Sequence, residues 1–100
     1  MAIEQELLNK VKTNLRISHS VLDGDLTDTI EACLQDLKVC GVQDPDVSDP
    51  LILDAIKLYS RAAYTDDTGK AAAYKARYDA LKSCLMMAEG YGGKQVAADV

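Results

Sequence analysis

Apolar residues recur at spacings of three and four along four stretches of the chain, and each such stretch predicts an amphipathic helix. The predicted helices run from Ile3 to Asn14, from Leu26 to Cys40, from Pro50 to Tyr64 and from Lys70 to Glu89. No stretch shows the strict alternation that is typical of a strand. The pattern therefore predicts an all-α fold, a small bundle of about four helices.

The residues on one face of each predicted helix are expected to meet in a common core. They are Leu7, Leu8, Val11 and Leu15 in the first helix, Leu26, Ile30, Cys33, Leu34, Leu37 and Cys40 in the second, Ile52, Ala55, Ile56, Tyr59, Ala62 and Ala63 in the third, and Tyr74, Tyr78, Leu81, Leu85 and Ala88 in the fourth. The fourth helix is the longest, and its residues follow a heptad-like seam.

Turn and capping residues separate the predicted helices. Asp49 and Pro50 are a strong start signal, because Asp caps a helix well and Pro at the first helical position loses no hydrogen bond. The run Asp23-Gly24-Asp25 is predicted to form a turn and to cap the second helix. Gly41 is placed to end that helix in a left-handed conformation.

The length of 100 residues allows one domain. Residues 1–89 are expected to form a helical domain, and residues 90–100 a flexible C-terminal tail, since the tail lacks periodicity and begins with three glycines among four residues. The N-terminus lacks the apolar core of a signal peptide, and no apolar run is long enough to span a bilayer. We expect a protein made and kept in the cytosol, or in a particle assembled there.

The formal charge of −5 is concentrated in the middle of the chain. Residues 21–50 contain eight acids against Lys38, a net charge of −7, whereas residues 1–20 and 51–100 each carry +1. Binding to nucleic acid requires clusters of bases that neutralise phosphates, and the sequence shows none. A role in gripping DNA or RNA is therefore disfavoured.

Residue types that often carry chemistry do not form a recognisable constellation. His19 is the only histidine and is expected on a surface loop. The cysteines at positions 33, 40 and 84 form no CxxC pair, so they are interpreted as small buried hydrophobes in place of metal ligands. The acids that begin at Asp23 and at Asp44 fail the glycine and glutamate positions of a calcium-binding loop. We predict no catalytic residue, no metal site, no cofactor and no enzymatic activity.

Several segments, in order, resemble those of phage head–tail connector proteins. The first is Leu7-Leu8-x-x-Val11-Lys12-x-x-Leu15-Arg16-Ile17, followed by Asp23 and Asp25, by Ile30-x-Ala32-Cys33-x-x-Asp36-Leu37 and by Gly41-Val42. The last are Asp49-Pro50-Leu51-Ile52-x-x-Ala55-Ile56-x-x-Tyr59 and a final helix with Tyr74, Tyr78, Leu81 and Lys82. No single segment is diagnostic; the order, the length and the four-helix layout carry the resemblance together.

The resemblance implies a structural virion protein of the neck region, made in the host bacterial cytoplasm. Subunits of such proteins form a ring of about twelve copies beneath the portal protein, through heterologous contacts. The ring extends the DNA channel after packaging and offers a platform to the next head-completion, stopper or tail protein. DNA would pass through without specific binding, and no membrane is involved.

The same resemblance suggests two sets of candidate site residues. The tail could be an arm that orders on assembly, with Tyr91, Gly92, Gly93, Lys94, Gln95 and Val96 as candidate interface residues. Asp44 and Asp46 are candidates for a channel wall, because like charge keeps DNA from sticking. Acidic loops are also the ordinary composition of a solvated surface, so that alternative stays open. A second function, a small helical protein-binding module or regulator of phage or bacterial origin, remains an alternative.

Overall fold

The computed structural model describes residues 5–43 and 45–88, and within these ranges the chain forms four α-helices and no strand. The helices are α1 (Gln5–Leu15), α2 (Asp23–Val39), α3 (Pro50–Tyr64) and α4 (Thr68–Met87). The prediction of an all-α bundle of four helices is confirmed. The proposed tail lies outside the described residues, so the predicted division into two parts stays a prediction.

Helix α3 occupies the centre of the bundle, because it packs against α1, α2 and α4. It runs antiparallel to α2, since Tyr64 at its end meets Thr29 while Ala55 meets Cys33. It also runs antiparallel to α4 across the short turn of residues 65–67, which pairs Tyr59 with Tyr78. The beginnings of α2 and α4 therefore lie at the same end of the molecule as the end of α3.

The core contains most of the residues that the apolar pattern selected. Buried members are Leu7, Leu8, Val11, Leu26, Ile30, Cys33, Leu34, Leu37, Ile52, Ala55, Ile56, Tyr78 and Leu85. Val42 and Leu58 are also buried although neither belonged to a predicted stripe. Ala63 and Cys84 were predicted to be buried and are exposed, and Cys40 is half-buried. Cys84 precedes the buried Leu85 by one residue, a rotation of about 100° that turns it away from α3.

Helix α2 ends in a specific hydrogen-bond arrangement, which α1 shares. Val42 N–H donates to Leu37 O at 2.9 Å and Gly41 N–H to Lys38 O at 3.1 Å, and Gly41 has a φ of +108°. This is a Schellman ending, in which the residue after the helix adopts a left-handed conformation. The predicted role of Gly41 is confirmed.

The predicted cap of α2 is wrong. Helix α2 begins at Asp23, three residues before Leu26, and Leu22 occupies the capping position without a side-chain hydrogen bond. Asp25 lies inside the first turn, where it accepts a hydrogen bond from Tyr64 Oη. The acids of this turn instead stabilise the helix through its dipole and through an ion pair of 2.8 Å between Asp23 and Lys12.

Candidate functional site

Of the predicted interface and channel residues, the structure describes Asp46 alone. Residues 91–96 and Asp44 lie outside the described residues. Asp46 is exposed in the loop between α2 and α3, where its carboxylate accepts hydrogen bonds from Ser48 Oγ at 2.7 Å and Ser48 N–H at 2.9 Å. These two bonds lower the pKa of Asp46, so the group is charged at neutral pH. Whether it faces a DNA channel stays a prediction.

A polar cluster lies at the edge of the core between α2 and α4, where Tyr78 is buried and Asp36 and Lys82 are half-buried. Tyr78 Oη donates to Asp36 Oδ2 at 2.7 Å, and Lys82 Nζ donates to the same oxygen at 3.0 Å. Cys33 Sγ lies 3.9 Å from Tyr78 Oη on the buried side. Tyr78 and Lys82 are one helical turn apart, so a single carboxylate of α2 fixes two consecutive turns of α4.

The pKa shifts in this cluster keep its thiol and its phenol in their unreactive, protonated forms. Burial, chiefly, raises the pKa of the Cys33 thiol to about 12, and burial together with the bond to Asp36 raises the pKa of Tyr78. Burial alone would raise the pKa of Asp36, but the bonds from Tyr78 and Lys82 outweigh it and lower that pKa. Cys33 and Tyr78 are therefore protonated at neutral pH, and a protonated thiol is a poor nucleophile.

A second polar junction joins three helices through one guanidinium group. Arg61 of α3 donates from Nε to Asn14 Oδ1 at 2.8 Å and from Nη2 to Asn14 O at 3.2 Å, at the end of α1. Its Nη1 donates to Tyr74 Oη of α4 at 3.2 Å, and its carbon Cζ lies 5.5 Å from the Tyr74 ring centroid. The three bonds hold the guanidinium plane fixed and use three of its five N–H donors.

A cleft of about 520 Å³ opens beside this junction, where α1 ends, α3 ends and α4 begins. Arg16, Arg61 and Lys70 supply its positive charge, and no acid is among its described lining residues, which also include Asn14, Leu15, Ile17, Leu22, Tyr64, Thr65 and Tyr74. Arg16 and Lys70 are exposed, whereas Arg61 is half-buried. We call this surface the basic cleft. In a chain of net charge −5, it is a local excess of positive charge.

Arg16 reaches the rim of the basic cleft from a left-handed backbone conformation. Its φ is +61°, the one positive value among the described non-glycine residues. Ile17 N–H donates to Lys12 O at 2.9 Å and Arg16 N–H to Thr13 O at 3.1 Å, the same Schellman ending that Gly41 gives α2. An arginine here is disfavoured by about 1 kcal/mol relative to glycine.

Three of the large apolar side chains that are exposed in the described chain lie at the opposite end of the bundle. Val39 ends α2, Leu51 is in the first turn of α3 and Met87 ends α4, with exposed fractions of 73%, 46% and 66%. The antiparallel packing on α3 places these three helix ends at the same end of the bundle. We call this surface the apolar end. Exposed apolar surface of this kind is typical of contacts with other proteins.

The remaining candidate features are the single histidine, metal-binding groups and membrane-spanning helices. His19 lies exposed in the loop between α1 and α2, as predicted. In the described part of the chain, no group of three or more His, Cys, Asp or Glu side chains is arranged to hold a metal ion. A search of the described helices also finds none that is both long and apolar enough to cross a membrane.

Sequence reasoning missed the residues that organise both polar junctions. No role was predicted for Arg61 from the sequence, and Asp36 was named only within one of the segments that carry the family resemblance. A usable signal was present in the second case, because Asp36 lies three residues after the buried Cys33 and so at the edge of the same helix face. A charge beside the core requires a partner. Its partners, 42 and 46 residues away, could not be identified from local spacing.

The model of a known protein family matches most of the chain. The family model described as Phage connector protein matches residues 7–92, which include all of α2, α3 and α4 and most of α1. No curated protein matches the sequence, and no solved structure matches the fold. The family match agrees with the resemblance carried by the segments from Leu7 to Lys82. The chain therefore belongs to the phage connector protein family.

Proposed function

We propose that this protein is a subunit of the ring that joins the head of a tailed phage to its tail. About twelve copies would form a closed ring beneath the portal, extend the DNA channel and offer a platform to the next stopper or tail protein. The observation that carries the proposal is the family match over residues 7–92, which supports a structural role in the head–tail connector.

The structure offers surface of the kind that such a role needs. The apolar end carries Val39, Leu51 and Met87 in positions where a neighbouring protein can cover them. Polar junctions tie the helices together, as in the bonds of Tyr78 and Lys82 to Asp36. A rigid body with an apolar docking surface suits an adaptor. We assign the apolar end to the portal or to the next head-completion protein.

Passage of DNA fits the distribution of charge. The acidic segment of residues 21–50 carries −7, and Asp46 within it is exposed and ionised. A channel lined by such carboxylates would repel phosphates and let DNA slide without specific binding. Replacing Asp44 and Asp46 with Asn would then change DNA retention or ejection in assembled particles while leaving the stability of the free protein almost unchanged.

The test is the mass of the assembled protein. Mass photometry and negative-stain electron microscopy of the purified chain, alone and with portal-bearing capsids, should show a ring with a central opening. A protein that stays a monomer or a dimer and ignores the portal would contradict the proposal and favour the alternative of a helical regulator. Deleting residues 91–100 should leave the helical circular dichroism signal intact and weaken assembly if the tail is an arm.

A further inference from the structure

We propose that the basic cleft receives carboxylate side chains from the acidic segment, residues 21–50, of a second copy of this chain. The inference rests on the proposed ring and names the surfaces that meet in it. It also assigns a binding role to Arg16, Arg61 and Lys70, which the fold alone does not require of all three.

The guanidinium group of Arg61 is pre-organised to bind an anion. Its bonds to Asn14 and Tyr74 use three N–H donors and fix the plane of the group, which leaves two N–H donors on a residue that lines the cleft. A carboxylate can take two parallel hydrogen bonds from one guanidinium group. Because the donor plane is fixed before the ligand arrives, little side-chain entropy is lost on binding.

Arg16 provides an independent reason to expect a ligand. The ends of α1 and α2 use the same hydrogen-bond arrangement, and α2 places glycine where the left-handed conformation is needed. At α1 the chain places an arginine there, against its backbone preference, and the side chain lines the cleft. Unfavourable backbone conformations of this kind are found where a side chain serves a function.

The composition of the cleft favours a protein ligand over DNA. Two arginines and two tyrosines, Tyr64 and Tyr74, line the cleft together with the apolar Leu15, Ile17 and Leu22. Arg and Tyr are enriched among the residues that dominate protein–protein binding energy. A DNA backbone instead requires a row of bases along a line of phosphates, and three bases around one cleft suit one or two carboxylates.

Charge complementarity identifies the second copy as the occupant. The same chain presents an acidic segment with a net charge of −7, and Asp28 within it is exposed on α2, outside the loop proposed for the channel wall. A closed ring requires one face of each subunit to meet a different face of the next. Asp25 of the same chain accepts a hydrogen bond from Tyr64 and is not among the residues that line the cleft.

The decisive variant is Arg16→Gly, because it removes a cleft charge while it relieves the left-handed backbone. Its thermal unfolding temperature should equal or exceed that of the unchanged protein, whereas assembly should require about tenfold more protein. Lys70→Gln should weaken assembly similarly. Lys75→Gln is the matched control, since the exposed Lys75 lies on the same helix, pairs with Asp79 and does not line the cleft. It should assemble normally.

Zero-length carbodiimide crosslinking of an equal mixture of ¹⁵N-labelled and unlabelled protein tests the occupant. A crosslink between Lys70 of one copy and an acid of residues 21–50 of another is expected. Rings that form normally with both Arg16→Gly and Lys70→Gln, or Lys70 crosslinks confined to one chain, would overturn the inference and leave the ring intact. Assembly that appears only with duplex DNA, with Lys70 protected by it, would also overturn it. An unchanged protein that never assembles would instead refute the proposed function.

Discussion

Tyr78 of α4 donates a 2.7 Å hydrogen bond to the carboxylate of Asp36 on α2, and this contact joins two helices through a residue that is itself part of the apolar core. The ring of Tyr78 packs edge-on against Tyr59 of α3, with centroids 5.1 Å apart. One side chain thus contributes both buried apolar area and a charge-assisted bond.

Tyr78→Phe should keep the ring packing and lose only the hydroxyl. We expect the free energy of unfolding to fall by about 1–2 kcal/mol, because the bond is made to an ionised group that retains Lys82 as a second partner. Urea denaturation measures the change. A double-mutant cycle with Asp36→Ala isolates the coupling between the two residues. A coupling near zero would show that the bond contributes nothing to stability.

Acid should weaken the same cluster. The pKa of Asp36 in the folded protein lies below its ordinary value of 3.8, since the bonds from Tyr78 and Lys82 outweigh the effect of burial. The stabilisation is therefore fully present above pH 3.8 and is lost as the pH falls through the folded-state pKa. Denaturation curves between pH 6 and pH 2 should show less acid sensitivity in Asp36→Asn than in the unchanged protein. If the free energy of unfolding falls with pH equally steeply in both proteins, the bonds to Asp36 do not stabilise the fold.

Two leucines of α4 should differ in their importance although the apolar pattern treats them alike. Leu85 is 1% exposed, whereas Leu81 is only half-buried. Leu85→Ala should lower the free energy of unfolding by about 2–5 kcal/mol and Leu81→Ala by clearly less. Chemical denaturation of both variants provides the comparison. A loss below about 0.5 kcal/mol at Leu85 would mean that α4 is not packed as described.

Ser60 offers a route to a more stable protein. It is fully buried in α3, and its hydroxyl has no hydrogen-bond partner among the described residues. Ser60→Ala should raise the free energy of unfolding by about 1 kcal/mol, because it removes an unsatisfied polar group and favours the helix. The exposed Ser83 of α4 is a matched control, where the same change alters helix propensity alone. Destabilisation by Ser60→Ala would reveal a hidden partner of the hydroxyl.

The start of α3 and the end of α2 were predictable because their signals are local. Asp49 accepts a 2.8 Å bond from Leu51 N–H, and Gly41 adopts the left-handed conformation that its position requires. Asp25 was misassigned as a cap because its actual partner, Tyr64, lies 39 residues away. The basic cleft was missed for the same reason, since Arg16 is distant in sequence from Arg61 and Lys70 and meets them only when the helices pack together.

The central position of α3 has a consequence for how the protein opens. Since α3 packs against each of the other helices, no helix can detach without exposing part of its surface to water. The free energy of a local opening that reaches the middle of α3 then approaches that of complete unfolding. The amide protons in the middle of α3 should therefore exchange with deuterium more slowly than those of α1. A subunit built in this way would dock as one rigid body, with no half able to yield while the other holds.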